Sequence, residues 1–174
     1  MKPLLLAACI VLLPTIAHAQ WSKDGQPTPD APDRKSKEGF GAQLLVISHL
    51  PEFMKEWTTS PPEHVPHVPV VTKAERGAAL AILVFLAGCK ADTSGHCNAD
   101  YDLTIIRPDG STMHNFPNLE LSKQEASTNV QLGPAIAQIK FDRTDSSGTY
   151  HIRAVVRDEN RNVVLELETP LEIK

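Results

Sequence analysis

From Phe40 onward the chain carries repeated runs in which side chains switch faces at every second position, and that period leaves little choice of fold. Ala99, Tyr101, Leu103 and Ile105 alternate with Asn98, Asp100, Asp102 and Thr104. Tyr150, Ile152, Ala154 and Val156 alternate with His151, Arg153 and Arg157, and Val163, Leu165 and Leu167 with Glu166 and Glu168. Successive side chains of a strand leave on opposite faces, so each run lays one apolar face on a core. Ala135, Ala137, Ile139 and Phe141 form a further inward row, and Ala42, Leu44 and Val46 an earlier one, with Leu45 and Ile47 making that strand apolar on both faces. The continuous apolar run Ala78 to Ala87 reads as a buried central strand, with a buried helix as the alternative; it is too short to cross a bilayer. A short strand is expected at Ser111 to Phe116. Seven strands without βα alternation or internal repeat predict an all-β fold, an antiparallel β-sandwich.

The connections carry their own chemistry. Pro108-Asp109-Gly110 and Asp145-Ser146-Ser147-Gly148 are turn sequences, and Asp158–Asn162 is a short polar loop. Pro51 to Trp57 predicts one short helix: proline suits a first helical position, and Phe53 and Trp57 share a face at i, i+4. Such a helix would cap the open end of the core. Pro61, Pro62, Pro66 and Pro69 force Ser60 to Pro69 to run extended. Asn118 to Gly133 has no period and is expected to be a long crossing loop.

The first 19 residues have the order of a secretory signal. Lys2 is followed by the apolar run Leu4 to Ile16, and Ala17-His18-Ala19 places small residues at −3 and −1 of a cleavage site before Gln20. Leu6-Ala7-Ala8-Cys9 also fits a lipoprotein box, but an apolar stretch of seven residues, Ile10 to Ile16, continues beyond Cys9, which favours cleavage at 19 over lipidation. The expectation is an exported chain, periplasmic or secreted, with no membrane insertion once the signal is removed. Residues 20–39, with Pro27, Pro29 and Pro32 and few large apolar groups, predict a flexible leader, and 40–174 the β-sandwich domain. Cleavage leaves just two cysteines, Cys89 and Cys97, which in an oxidising compartment predict a disulfide. His96 beside Cys97 raises a metal or redox alternative, but no CxxC spacing supports it.

Asp145-x-x-Gly148-x-Tyr150, followed by inward Ile152, Ala154 and Val156, resembles the tyrosine corner that opens strand F of immunoglobulin-like domains. The resemblance implies an immunoglobulin-like sandwich, with the Tyr150 hydroxyl bonded back to the preceding turn. Two features depart from it: the third strand has no tryptophan, and the cysteines do not link strands B and F. The whole chain also resembles a group of small exported bacterial proteins, a likeness that implies a fold and no activity. If the third, sixth and seventh strands are neighbours, Asp100 and Asp102, then Arg153 and Arg157, then Glu166 and Glu168 form an acid–base–acid ladder on one outer face.

Net charge is −4, becoming −5 when Lys2 leaves, so nothing draws this chain to phosphate backbones. No GxGxxG, P-loop, GxSxG, SxxK or HExxH pattern is present. Asp100 and Asp102 are spaced about 7 Å apart on a strand, like a glycosidase pair, though adjacent outward acids are ordinarily a solvated face. No catalytic group and no cofactor is therefore expected. The favoured reading is a non-enzymatic binding module of the bacterial cell envelope whose partner is another envelope protein. Recognition would fall on the Cys89–Cys97 loop, the Asn118–Gly133 crossing and a proline-rich strip exposing Trp57, Val65 and Val68. The alternative is a periplasmic copper or zinc protein using His64, His67, His96, Met113 and His114. The spacing argues against it: His64-x-x-His67 in an extended chain does not aim two imidazoles at one ion, and Met113 and His114 alternate across a strand.

Overall fold

The computed structural model describes residues 21–23, 26–61 and 66–174; the expected signal segment 1–19, with Cys9, and His64 and Val65 lie outside them. Strands β1 (Ser22–Lys23) and β2 (Gln26–Pro27) pair antiparallel, followed by β3 (Arg34–Lys37) and β4 (Phe40–Ile47). Helix α1 (Leu50–Thr59) and β5 (Lys73–Ala74) precede β6 (Ala79–Ala87) and β7 (Ala99–Ile106). The chain ends with β8 (Thr112–Ser122), β9 (Gln131–Leu132), β10 (Ala137–Lys140), β11 (Gly148–Asp158) and β12 (Val163–Ile173).

Apart from the β1–β2 pair, these strands make two sheets. One has the order β10-β6-β4-β3, with β9 also on β6; the other runs β5-β12-β11-β7-β8. The chain crosses between sheets from β6 to β7, back from β8 to β9 and β10, and again from β10 to β11. That crossing pattern, with β12, β11 and β7 side by side, is the immunoglobulin-like sandwich. β5 lies parallel to β12 and the other pairings are antiparallel.

The main core is the set of inward rows read from the sequence. Phe40, Ala42, Leu44 and Val46 meet Ala99, Tyr101, Leu103, Ile105, Tyr150, Ile152, Ala154 and Val156, all buried. Tyr101 is fully buried and its hydroxyl donates to the Ala135 carbonyl at 2.6 Å. Burial pushes its phenol up to about 12. Tyr101→Phe should therefore cost about 1–2 kcal/mol in urea unfolding, because the Ala135 carbonyl loses its donor.

A second apolar cluster explains the doubly apolar strands. Leu45, Ile47, Ala81, Leu83 and Phe85 face away from the main core and are covered by Phe53, Met54, Trp57 and Val68, with Trp21, Leu132 and Ile136 at the margin. Helix α1 thus lies on the outer face of the first sheet rather than capping the open end. The amphipathic Phe53/Trp57 stripe needs an apolar partner, and Phe85 provides it, its ring 6.3 Å from Phe53 and 5.3 Å from Trp57.

Two further expectations are corrected. The expected flexible leader contains β3, which pairs Arg34 to Lys37 with Gln43 to Phe40, and the Pro32 carbonyl accepts from the Glu168 amide at 2.8 Å. Main-chain bonds to exposed strand edges order this segment, a contribution that its side-chain composition does not reveal. The strand expected at Ser111–Phe116 runs on to Ser122, into the segment expected to be a loop. It passes Pro117 and Asn118 (φ 54°) through irregular register, which destroys the period that would have marked it.

Candidate functional site

At one end of the sandwich the loops after β6, β8 and β11 meet: residues 88–98, 123–130 and 159–162. They are tied together by a disulfide and by main-chain and side-chain hydrogen bonds. Cys89 and Cys97 form a disulfide with Cα atoms 5.7 Å apart. Asp158 carries the same parity as Ile152, Ala154 and Val156, so its carboxylate enters the sandwich end and is completely buried. There it accepts from the Lys90 amide at 2.9 Å and the Arg161 amide at 3.2 Å, with the Arg161 Nε 3.5 Å away. One carboxylate thus joins two loops that are 68 residues apart in sequence.

The remaining bonds close the triangle. The Asn160 side-chain amide donates to the Lys90 and His96 carbonyls at 2.9 and 3.0 Å, and the Glu159 amide to the Asn98 carbonyl at 2.9 Å. The third loop is held by Cys97 N–H to Gln124 (2.8 Å), Ala126 N–H to Gly95 (3.0 Å) and Gly88 N–H to Ser127 (3.0 Å). Within the bridged loop, Asp92 Oδ1 accepts from the Ser94 hydroxyl and amide and the His96 amide, and these bonds, the Ser94 hydroxyl foremost, hold its carboxyl below the usual value. Between the loops lies a cleft of about 380 Å³ lined by Gly39, Gly88, Lys90, Ser127, Thr128 and Arg161 among others. This is a preorganised loop end, in which little ordering entropy remains to be lost on binding.

Other sequence-derived residues fall elsewhere. At the opposite end the Tyr150 hydroxyl donates to the Ser146 carbonyl at 3.0 Å, and Asp145 Oδ2 accepts from the Asp142 amide at 2.8 Å. Gly148 takes φ 133°, and a Cβ there would sit 2.9 Å from the Pro108 ring, so only glycine fits this turn. Trp57 and Val68, expected on an exposed strip, are half-buried on the second cluster, and the proline-rich segment returns to Val70, which bridges to Ile47. Of the crossing segments expected to carry recognition, the Cys89–Cys97 loop and the latter part of 118–133 come together; the strip does not join them.

The histidines are spread out. His96 lies in the bridged loop, its Nδ1 3.1 Å from Ser94 Oγ. His114 pairs opposite Ile105, about 20 Å along β7 from the Ala99 end, and rests on Phe116 with ring centroids 5.7 Å apart. Met113 packs on the main core, and the His67 amide donates to Glu56 beside the helix. Among the described residues no group of three or more His, Cys, Asp or Glu side chains could hold a metal ion.

The outer face of β7, β11 and β12 carries the ladder. Register places Arg153 opposite Glu168 and Arg157 opposite Asp100. Arg153 Nε meets Glu168 at 2.7 Å, His151 Nδ1 meets the other oxygen at 2.6 Å, and Arg157 holds both Asp100 (2.9 Å) and Asp102. Asp100 and Asp102 are thus partners of one guanidinium. Arg153 holds the Glu168 carboxyl below its ordinary 4.5, with His151 adding to this, and Arg157 holds Asp102 below 3.8, helped by the Asn118 amide. Depressed native values stabilise the fold above the ordinary carboxylate range, and that contribution disappears as pH falls through the lower native values. Urea midpoints should accordingly decline as pH falls below about 4.5. Arg153→Met should remove a few tenths of a kcal/mol of that decline, since the pair is partly solvated.

The fold and its braced end define an immunoglobulin-like β-sandwich with one short helix. No protein-family model matches the chain, and no curated protein matches it. Among solved structures it is similar to a Niemann-Pick type C2 protein from Japanese carpenter ant, at 8% identity and TM-score 0.40, over 76% of this chain and 89% of that one. It is also similar to the CARDB domain of a Pyrococcus furiosus protein, at 9% identity and TM-score 0.41, over 84% and 99%.

Proposed function

We propose that the protein is an exported, non-catalytic binding module that contacts another protein of the bacterial cell envelope through its braced loop end. The observation that carries this reading is the buried Asp158 carboxylate binding the Lys90 and Arg161 amides of two loops, beside the disulfide. Surface loops ordinarily remain mobile; fixing three of them around a cleft costs a buried charge, which a loop end without a task does not require. Export is supported by the signal-like residues 1–19 and by a disulfide suited to an oxidising compartment. Among the described residues no helix is long and apolar enough to cross a membrane.

The test is site-specific photo-crosslinking in exporting cells. A photoreactive residue at Ala91, exposed in the bridged loop, should yield a discrete envelope-protein adduct, while one at Asp109, in the turn at the far end, should not. Adducts from Asp109 alone, or none from either position, would overturn the proposal.

A further inference from the structure

We infer that the cleft at the loop end is an oxyanion subsite, seating one carboxylate or phosphate group of the bound partner; this rests on the loop end being the recognition end. The cleft draws its charged lining from two loops: Lys90 from the bridged loop and Arg161 from the β11–β12 connection, with the Ser127 and Thr128 hydroxyls on the third side. No carboxylate lines it among the described residues. On the second sheet Arg153, Arg157 and Lys73 are paired with acids at the surface, whereas the acid beside Arg161, Asp158, is completely buried and does not line the cleft. Lys90 is exposed and makes no ion pair among the described residues.

Arg161 is held for such a role. Its Nη2 donates to the Gly88 carbonyl at 3.2 Å, and its buried Nε lies 3.5 Å from Asp158 without completing a hydrogen bond. The guanidinium is fixed, its buried Nε is turned to Asp158, and its Nη1 makes no hydrogen bond among the described residues, so a planar donor remains that suits a carboxylate or phosphate. Because the Lys90 and Arg161 amides share one carboxylate, the backbone positions from which the two cationic side chains start are set by the fold. Asp92, Glu125 and Glu159 surround this end outside the cleft lining, so the arrangement suits a single oxyanion and repels a polyanion.

The test is an amide NMR titration of the full exported chain with inorganic phosphate, and separately with a short glutamate-containing peptide and its glutamine counterpart. Saturable shifts should centre on Gly88, Lys90, Ser127, Thr128 and Arg161. Lys90→Gln and Arg161→Lys should each weaken binding by about five- to tenfold, because a charge-assisted contact is lost in one and the planar fork in the other. Saturation by the glutamate peptide and not by its glutamine counterpart identifies a protein carboxylate as the ligand. Saturation by phosphate alone identifies a phosphate-bearing one. Shifts that do not saturate, that equal those produced by the same concentration of chloride, or that persist unchanged in both variants would overturn the subsite. Lys90 is exposed, so Lys90→Gln reports even if Arg161→Lys disturbs the loop. Loss of anion binding with the Ala91 adduct intact would sink the subsite alone, whereas loss of the adduct with anion binding intact would sink the partner reading.

Discussion

Asp158→Ala is expected to lower stability by about 3–5 kcal/mol, the largest effect of any single substitution considered for this protein. The change removes the only charge that is completely buried in the described structure and leaves three groups behind it. The Lys90 and Arg161 amides lose their acceptor, and the Arg161 guanidinium keeps its charge in a site that had been neutralised. Breaking one side of a buried pair is costly for this reason, more so than exchanging the whole pair for apolar residues. Asp158→Asn should fall between the two, since its carbonyl oxygen can still accept from one amide while the charge opposite Arg161 is lost. Urea unfolding gives the magnitudes. A loss of less than about 1 kcal/mol for the alanine variant would mean that the carboxylate is not the brace.

Removing the disulfide should be the next largest effect. Cys89 and Cys97 close a loop with a sequence separation of 8. In the chain-entropy account, so short a closure contributes about 2–3 kcal/mol. For a domain of this size that corresponds to a fall of roughly 5–10 °C in Tm for the Cys89→Ala/Cys97→Ala variant. The strands should survive, because the two cysteines are a small part of a main core formed chiefly by the inward rows of both sheets. Loosening should be confined to residues 88–98 and to the partners they brace, Asn160 and Gln124. An unchanged Tm would show that the Asp158 and Asn160 bonds alone hold the loop; global loss of β structure would show that the bridge supports the core itself.

The two-residue period made most of the sandwich legible, including the inward rows and the ladder on β7, β11 and β12. Arg153 faces Glu168 because the parities of the last two strands allow little else. Where side chains do not carry the information, the sequence is silent. Strand β3 is ordered by main-chain bonds along β4, and its Arg, Lys and Ser side chains show no apolar row. Strand β8 hides behind its bulges and Pro117. The helix was visible but its location was not, because an apolar outer face on β4 and β6 tells that something covers it without telling what. Asp158 shows the limit most clearly. It sits at an inward parity, which could have been read, yet it stands at the head of a polar turn where acids are ordinarily solvated. Its partners Lys90 and Arg161 come from distant and adjacent chain respectively, and no local pattern links all three. Sequence patterning therefore suggested loops as the recognition surface, and the cross-bracing that selects one end of the molecule emerged only in three dimensions.

Amide hydrogen exchange on the oxidised protein tests whether this loop end is rigid. The amides of Gly88, Lys90, Cys97, Ala126 and Arg161, all outside regular strands, should exchange far more slowly than those of an unbonded loop, approaching the protection of neighbouring strand amides. Exchange of these five at open-loop rates, while β7 and β11 stay protected, would contradict the braced end on which the functional reading stands.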